Sequence, residues 1–179
     1  MNRFLSIAFV CCFTATAFSQ WSGDDCDWAM SAFEGPNYFD TSGASPSTPL
    51  PDESQCSGTY LNWTTDTPDV WFYFSPATTG NYEFSTCYAQ SFDTSIVLYA
   101  GECTNQTQIA CNGDADDSNS DCQAYYSKLE ATLTHGEDYY IRVGGYDNAF
   151  GTGYLTISNM GGGGSDPTIW YVREDASPQ

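Results

Sequence analysis

The body of this chain is cut into short runs in which apolar and polar residues alternate with a period of two. Asp69-Val-Trp-Phe-Tyr-Phe74 lies between Thr67-Pro68 and Ser75-Pro76. Gly80-Asn-Tyr-Glu-Phe-Ser-Thr86 sets Tyr82 and Phe84 against Glu83 and Ser85. Thr94–Tyr99 follows a turn, and Tyr125–Leu133 alternates more loosely through Tyr125, Ser127, Leu129 and Ala131. Glu137–Val143 places Tyr139, Ile141 and Val143 on one face, and Gly153–Ser158 places Leu155 and Ile157 inward. Pro36–Thr41 and Gln108–Ala110 are weaker runs of the same kind. Successive strand side chains point to opposite faces, so period-two runs rich in β-branched and aromatic residues predict strands. About eight such runs, separated by Gly, Pro, Asn and Asp, predict an all-β antiparallel β-sandwich. Residues 43–58, rich in Ser and Pro, predict a long loop tied down at Cys56. Only Asp25–Phe33 has room for a turn or two of helix.

The two ends read differently. Asn2-Arg3, the apolar stretch Phe4–Phe18 and the small residues Ala17 and Ser19 form the pattern of a cleaved export signal over residues 1–19. The apolar stretch is too short to span a bilayer as a helix. Residues 20–159 form the sandwich, 160–166 a Gly-rich linker, and 167–179 the start of a second, truncated domain. Ile169-Trp-Tyr-Val172 is strand-forming, and a single strand behind a flexible linker has nothing to pack on.

Cys11 and Cys12 leave with the signal. Cys26, Cys56, Cys87, Cys103, Cys111 and Cys122 remain, and an even count in an exported chain reads as three disulfides, with fifteen possible pairings. A zinc site lacks the C-x-x-C spacing and finds one histidine, His135. The formal charge is −19, from 4 Lys+Arg against 23 Asp+Glu. Such a charge repels polyphosphate, which excludes nucleic acid and anionic membrane surfaces as partners. At 41% apolar and 16% aromatic residues, the chain is no disordered acidic tail.

Two candidate sites stand out. Asp114-Ala-Asp-Asp-Ser-Asn-Ser-Asp121 puts oxygen ligands at alternate positions, so Asp114, Asp116, Asp117 and Ser118 can wrap Ca2+, with Asp93 joining from the Phe-Asp-Thr turn. It is not an EF-hand, because Asn119 stands at the glycine position and Tyr125 where the bidentate Glu belongs. The same residues also read as a solvated acidic turn between Cys111 and Cys122, with Asp93 capping its own turn. The second candidate is an aromatic face. If Val70, Phe72 and Phe74 point to the core, Trp71 and Tyr73 point away, as do Tyr140 and Arg142. These four make either a platform that stacks on sugar rings, or ordinary cross-strand packing with Arg142 over a ring.

Catalysis finds little footing. The cysteines are engaged, His135 sits in the turn Thr134-His-Gly136, and no Gly-x-Ser-x-Gly is present. A glycosidase needs only two carboxylates at the right separation, and remains a minor alternative. Asn62-Trp-Thr64 and Asn105-Gln-Thr107 are glycosylation sequons.

Several segments, in order, resemble one family. They are Asp69-Val-Trp-Phe72, Phe84-Ser-Thr-Cys87, Ser91-Phe-Asp-Thr94, Ile96-Val-Leu-Tyr99 with Cys103, Ile109-Ala-Cys-Asn112, Tyr140-Ile-Arg-Val-Gly-Gly145 and Gly151–Ile157. Over residues 24–159 they resemble the bacterial pre-peptidase C-terminal domain, in its cysteine-containing secreted form. The resemblance implies a jelly-roll-like sandwich and a non-catalytic accessory role beside a downstream domain of the same protein. It also implies calcium binding in some members and engagement of a polysaccharide or extracellular matrix polymer in others. It further implies the pairings Cys103–Cys111, Cys87–Cys122 and Cys26–Cys56. The acidic segment Asn112–Asp117 departs from the family's compact Asn-Asp-Asp. Ile169–Pro178 resembles the entry strand of right-handed parallel β-helix domains. The function expected is that of a secreted, non-catalytic binding module, disulfide-stabilised and calcium-binding. The alternative is a carbohydrate-binding module using exposed aromatics.

Overall fold

The computed structural model describes residues 22–57, 60–87, 92–115 and 122–161. The predicted export signal, the Gly-rich linker beyond Gly161 and the tail segment lie outside the described residues, as do Asp116, Asp117 and Ser118. The described residues form two sheets packed face to face, an all-β sandwich. Its strands are β1 (Met30–Ser31), β2 (Gly35–Asp40), β3 (Cys56–Ser57), β4 (Val70–Phe74), β5 (Gly80–Ser85), β6 (Thr94–Ala100), β7 (Thr107–Asn112), β8 (Lys128–Leu133), β9 (Tyr139–Gly145) and β10 (Thr152–Asn159). The larger sheet runs β1-β4-β9-β6-β7-β3 and the smaller β2-β10-β5-β8. All pairings are antiparallel except those of the two-residue strands β1 and β3. The eight longer strands are the eight alternating runs of the sequence. The two short ones carry no alternation to detect. The expected helical stretch reduces to one 3-10 turn, Cys26–Trp28.

Alternation places the main core between the sheets. Val70, Phe72, Phe74, Ile96, Leu98, Tyr139, Ile141 and Val143 from the larger sheet meet Phe39, Tyr82, Phe84, Leu129, Leu133, Leu155 and Ile157 from the smaller. Phe74 makes edge-on contacts with both Tyr82 and Phe84, the favoured geometry for aromatic pairs.

The outer face of the larger sheet is not open to solvent. The long connection between β2 and β4 folds back over it and makes a third layer. Leu61 and Trp63 from that connection bury Trp71, Val97, Tyr99 and Cys111 in a second apolar cluster. A buried ion pair pins the layer down. Arg142 Nη2 donates to Asp69 Oδ2 at 2.8 Å, and both side chains are essentially inaccessible. Arg142 also donates to the carbonyls of Ser47 (2.6 Å) and Pro49 (2.9 Å). Asp69 accepts from the Ser47 backbone N–H at 3.0 Å and from its hydroxyl at 2.6 Å. The Trp71 indole N–H donates to the same hydroxyl at 2.8 Å. The guanidinium lies over the Trp63 and Trp71 rings, 4.9 and 5.3 Å from their centroids. The Thr48–Pro49 peptide within this clamp is cis.

The disulfides are Cys26–Cys103, Cys56–Cys111 and Cys87–Cys122. The implied Cys87–Cys122 link is present, but Cys103–Cys111 and Cys26–Cys56 are not. The register explains this. Ala100 pairs with Thr107, which leaves Cys103 in the turn, while Cys111 lies four residues further along β7, opposite Val97. Four strand residues span roughly 13 Å, beyond the reach of a disulfide. Cys111 instead lies beside Cys56 of β3, its register partner.

Removing one member of a buried ion pair leaves the other charge stranded. Arg142→Met is expected to lower unfolding free energy by about 3–5 kcal/mol. Adding Asp69→Asn, which removes the stranded charge, should recover part of the loss. Denaturant unfolding of both variants checks this, and equal stability of the single and double variants would contradict it.

Candidate functional site

Two of the four positions proposed for sugar stacking, Trp71 and Arg142, are closed to solvent. Trp71 is 3% exposed and Arg142 1% exposed, because the loop layer covers the face to which they point. Trp71 stacks on Tyr99 at 5.3 Å instead. Tyr73 and Tyr140 are half-buried and meet edge to face at 5.5 Å. The Tyr73 hydroxyl donates to Asp138 at 2.7 Å, a bond that raises the pKa of the phenol. The expectation of an open platform built on Trp71 and Arg142 is therefore corrected. Both side chains point away from the main core as alternation requires, and a layer that alternation cannot reveal then covers them.

A different site lies at one end of the sandwich. Glu53, Tyr60, Asn62, Asp93, Asp114, Tyr125 and Tyr146 line a cleft of about 480 Å³. Tyr60, Tyr125 and Tyr146 are 69, 64 and 43% exposed. Large aromatic rings held open to water at the mouth of a cleft that also holds carboxylates are candidates for ligand contact.

Each wall is built by loops that the sandwich ends hold in place. Asp93 precedes β6. Its carbonyl accepts from the Tyr146 N–H at 3.1 Å, which sets the turn Tyr146–Asn148 against it. Gly145 is required at this approach, because a Cβ there would stand 2.2 Å from the Ala149 carbonyl oxygen and 2.9 Å from that of Asp93. Asn148 Oδ1 accepts from the hydroxyls of Thr64 (2.8 Å) and Thr67 (2.6 Å), which fastens the Tyr60–Thr67 segment to the same turn. Glu53 accepts from the Trp63 N–H at 3.1 Å. Behind Asp114 and Tyr125 lies a buried knot of hydroxyls. Thr86 and Thr94 share a hydrogen bond of 2.6 Å, and Ser127 Oγ lies 2.6 Å from the carbonyl of Thr94 and 2.9 Å from that of Gly113. Thr94 N–H donates to the Tyr125 carbonyl at 3.0 Å.

Backbone strain collects here. Among the described residues, the non-glycine residues with positive φ are Asn62, Tyr125, Asp147 and Asn148, and all four lie in the loops that form the cleft. Tyr125, at φ 74°, is the least suited to that region. Such conformations persist only where surrounding contacts impose them, and they cluster at functional sites.

Of the expected calcium ligands, Asp93 and Asp114 meet in this cleft, while Asp116, Asp117 and Ser118 lie outside the described residues. Burial, and then the neighbouring charge of Asp114, push the Asp93 carboxyl up to about 6. Among the described residues no group of three or more His, Cys, Asp or Glu side chains is placed to hold a metal ion. Two carboxylates fall short of the six to eight oxygens that calcium takes.

The sequence pattern gave Glu53, Tyr60 and Tyr146 no role, marked Asn62 only as a glycosylation sequon, and placed Tyr125 in a strand. The available signal was tyrosine beside Asn or Asp in segments without alternation, as in Tyr146-Asp-Asn148. Rings in polar loops have no core to enter. His135 contacts the Pro76 carbonyl at 3.1 Å, remote from the cleft in sequence and absent from its lining.

The fold and site define a disulfide-stapled β-sandwich with an acidic, tyrosine-rimmed cleft at one end. No protein-family model matches the chain, and no curated protein matches it.

The raised pKa of Asp93 has a consequence for stability. The folded state holds a proton on Asp93 that the unfolded chain has lost, in the window between an ordinary 3.8 and about 6. The associated stability is fully present below 3.8 and is lost as pH rises through about 6. Asp93→Asn is therefore expected to melt above the wild type at pH 7–8, and the difference should shrink toward zero near pH 4. Melting curves across this range check it, and a pH-independent difference would contradict the assignment.

Proposed function

We propose that this chain is an exported, non-catalytic binding module, and that its end cleft takes a polysaccharide. The observation that carries the reading is the ring of exposed Tyr60, Tyr125 and Tyr146 around Glu53, Asn62, Asp93 and Asp114. Tyrosine faces stack on the C–H faces of sugar rings, and carboxylate and amide groups between them accept from and donate to hydroxyls. Three disulfides fit an oxidising environment outside the cytoplasm, as the predicted export signal does. No helix among the described residues is long and apolar enough to cross a membrane. The resemblance to the pre-peptidase C-terminal domain supports the same accessory role beside a downstream domain.

A second reading is favoured by the Asp93–Asp114 pair. Two like charges in a partly buried cleft are relieved by a cation, so calcium is proposed here, with further ligands from Asp116, Asp117 and Ser118.

The purified protein is expected to be retained on at least one insoluble polysaccharide. Tyr60→Ala and Tyr125→Ala should each weaken retention by about tenfold, with the fold intact by circular dichroism. Slow turnover of the retained polymer, lost in Asp93→Asn, would make the module a glycosidase instead. The calcium reading predicts a higher melting temperature in millimolar calcium than in chelator. An unchanged melting temperature would remove it.

A further inference from the structure

Trp63 Nε1, Ser95 Oγ and Arg142 Nε are buried polar atoms with no hydrogen-bond partner among the described residues, and their side chains gather round one ring. The ring is that of Trp63, which the connection between β2 and β4 lays on the outer face of the larger sheet. It takes the space that a side chain on β9 would fill. A Cβ at Gly144 would stand 2.6 Å from Trp63 Cζ2 and 3.1 Å from Cε2, the carbon that carries Nε1. Ser95 on β6 is the register partner of Gly144. Register partners of an antiparallel pair point to the same face, about 5 Å apart at Cβ. The Ser95 hydroxyl and the indole N–H therefore border the same spot. Arg142 precedes Gly144 by two residues on β9, faces the same way, and holds its guanidinium 4.9 Å from the centre of the Trp63 ring.

Bulk solvent does not reach this spot, since Trp63 is 6%, Ser95 0% and Arg142 1% exposed. Buried polar groups in folded proteins are met by protein atoms or by ordered water. The chemistry of the three groups selects the occupant. Trp63 Nε1 and Arg142 Nε can only donate, which excludes a cation. An anion finds no unbalanced charge, because Asp69 Oδ2 already stands 2.8 Å from Arg142 Nη2. A water molecule accepts from an N–H and donates to a hydroxyl, and it is small enough to sit under a closed layer.

We propose that the loop layer encloses a bound water that accepts from Trp63 Nε1–H and donates to Ser95 Oγ, tying the connection to the β6–β9 ladder. Trp63 stands between Asn62, which lines the end cleft, and Thr64, which is fastened to Asn148. The water thus holds one cleft wall at its root, whatever the cleft binds.

The test is a crystal structure of the full exported protein, together with water–protein NOE measurements in solution. A density peak is expected within about 2.7–3.2 Å of both Trp63 Nε1 and Ser95 Oγ. An NOE is expected between the Trp63 indole proton and a water that stays bound far longer than surface water. Ser95→Ala removes one partner of the water, and is expected to lose the NOE and lower the melting temperature with the fold unchanged. A direct bond from Trp63 Nε1 to Ser95 Oγ or to another protein oxygen would overturn the proposal, as would the absence of both peak and NOE. A peak with an anomalous signal after bromide replaces chloride would overturn it in favour of an anion site. A peak and NOE unchanged in Ser95→Ala would overturn the assignment of Ser95 as a partner.

Discussion

The buried pair of Asp69 and Arg142 is the constraint on which the outer half of this molecule depends. A sandwich of this size needs only its inner faces covered. Here the outer face of the larger sheet carries Trp71, Val97 and Tyr99 side by side, an apolar patch that is stabilised by being covered. The Ser- and Pro-rich connection supplies the cover, but a segment with so few apolar residues cannot hold itself down by burial alone. Leu61 and Trp63 do part of this. The rest is directional. Arg142 collects two carbonyls of the connection, and Asp69 collects the backbone and side chain of Ser47. A charge pair is costly to bury and costly to break. It therefore sets one position of the loop rather than adding general stability.

That choice reaches the cleft through the same connection. Glu53, Tyr60 and Asn62 lie on it, between the clamp at Ser47 and the fastening of Thr64 and Thr67 to Asn148. Cys56–Cys111 ties its middle to β7, and Cys87–Cys122 ties the loop after β5 to the acidic segment. The cleft residues come from loops distant in sequence, yet each loop is held at two points. Such bracing lets residues of unfavourable φ persist.

Carboxylates and tyrosines in one cleft have complementary uses. Rings give contact area with little conformational cost, and carboxylates give direction and charge selection. Among the described residues, the charged side chains that line the cleft are carboxylates, those of Glu53, Asp93 and Asp114. This electrostatic character is independent of which particular ligand fills the site.

Much of the fold was legible in the order of residues. Alternation in runs such as Val70–Phe74 and Tyr139–Val143 determined the strands and which side chains face the main core, because a strand's period is a local property. The cysteine count determined the number of bridges. Their partners depended on register, and register is settled by pairing between distant strands. The fate of Trp71 and Arg142 was hidden for the same reason. Alternation says which way a side chain points, but not what lies beyond it. The cleft was the least legible part, since Glu53, Tyr60, Asp93, Asp114, Tyr125 and Tyr146 belong to different loops without periodicity. Local chemistry alone determined strands, faces and a strong negative charge. Only tertiary structure, by closing loops over a sheet and against one another, decided which aromatics are core and which carboxylates share a site.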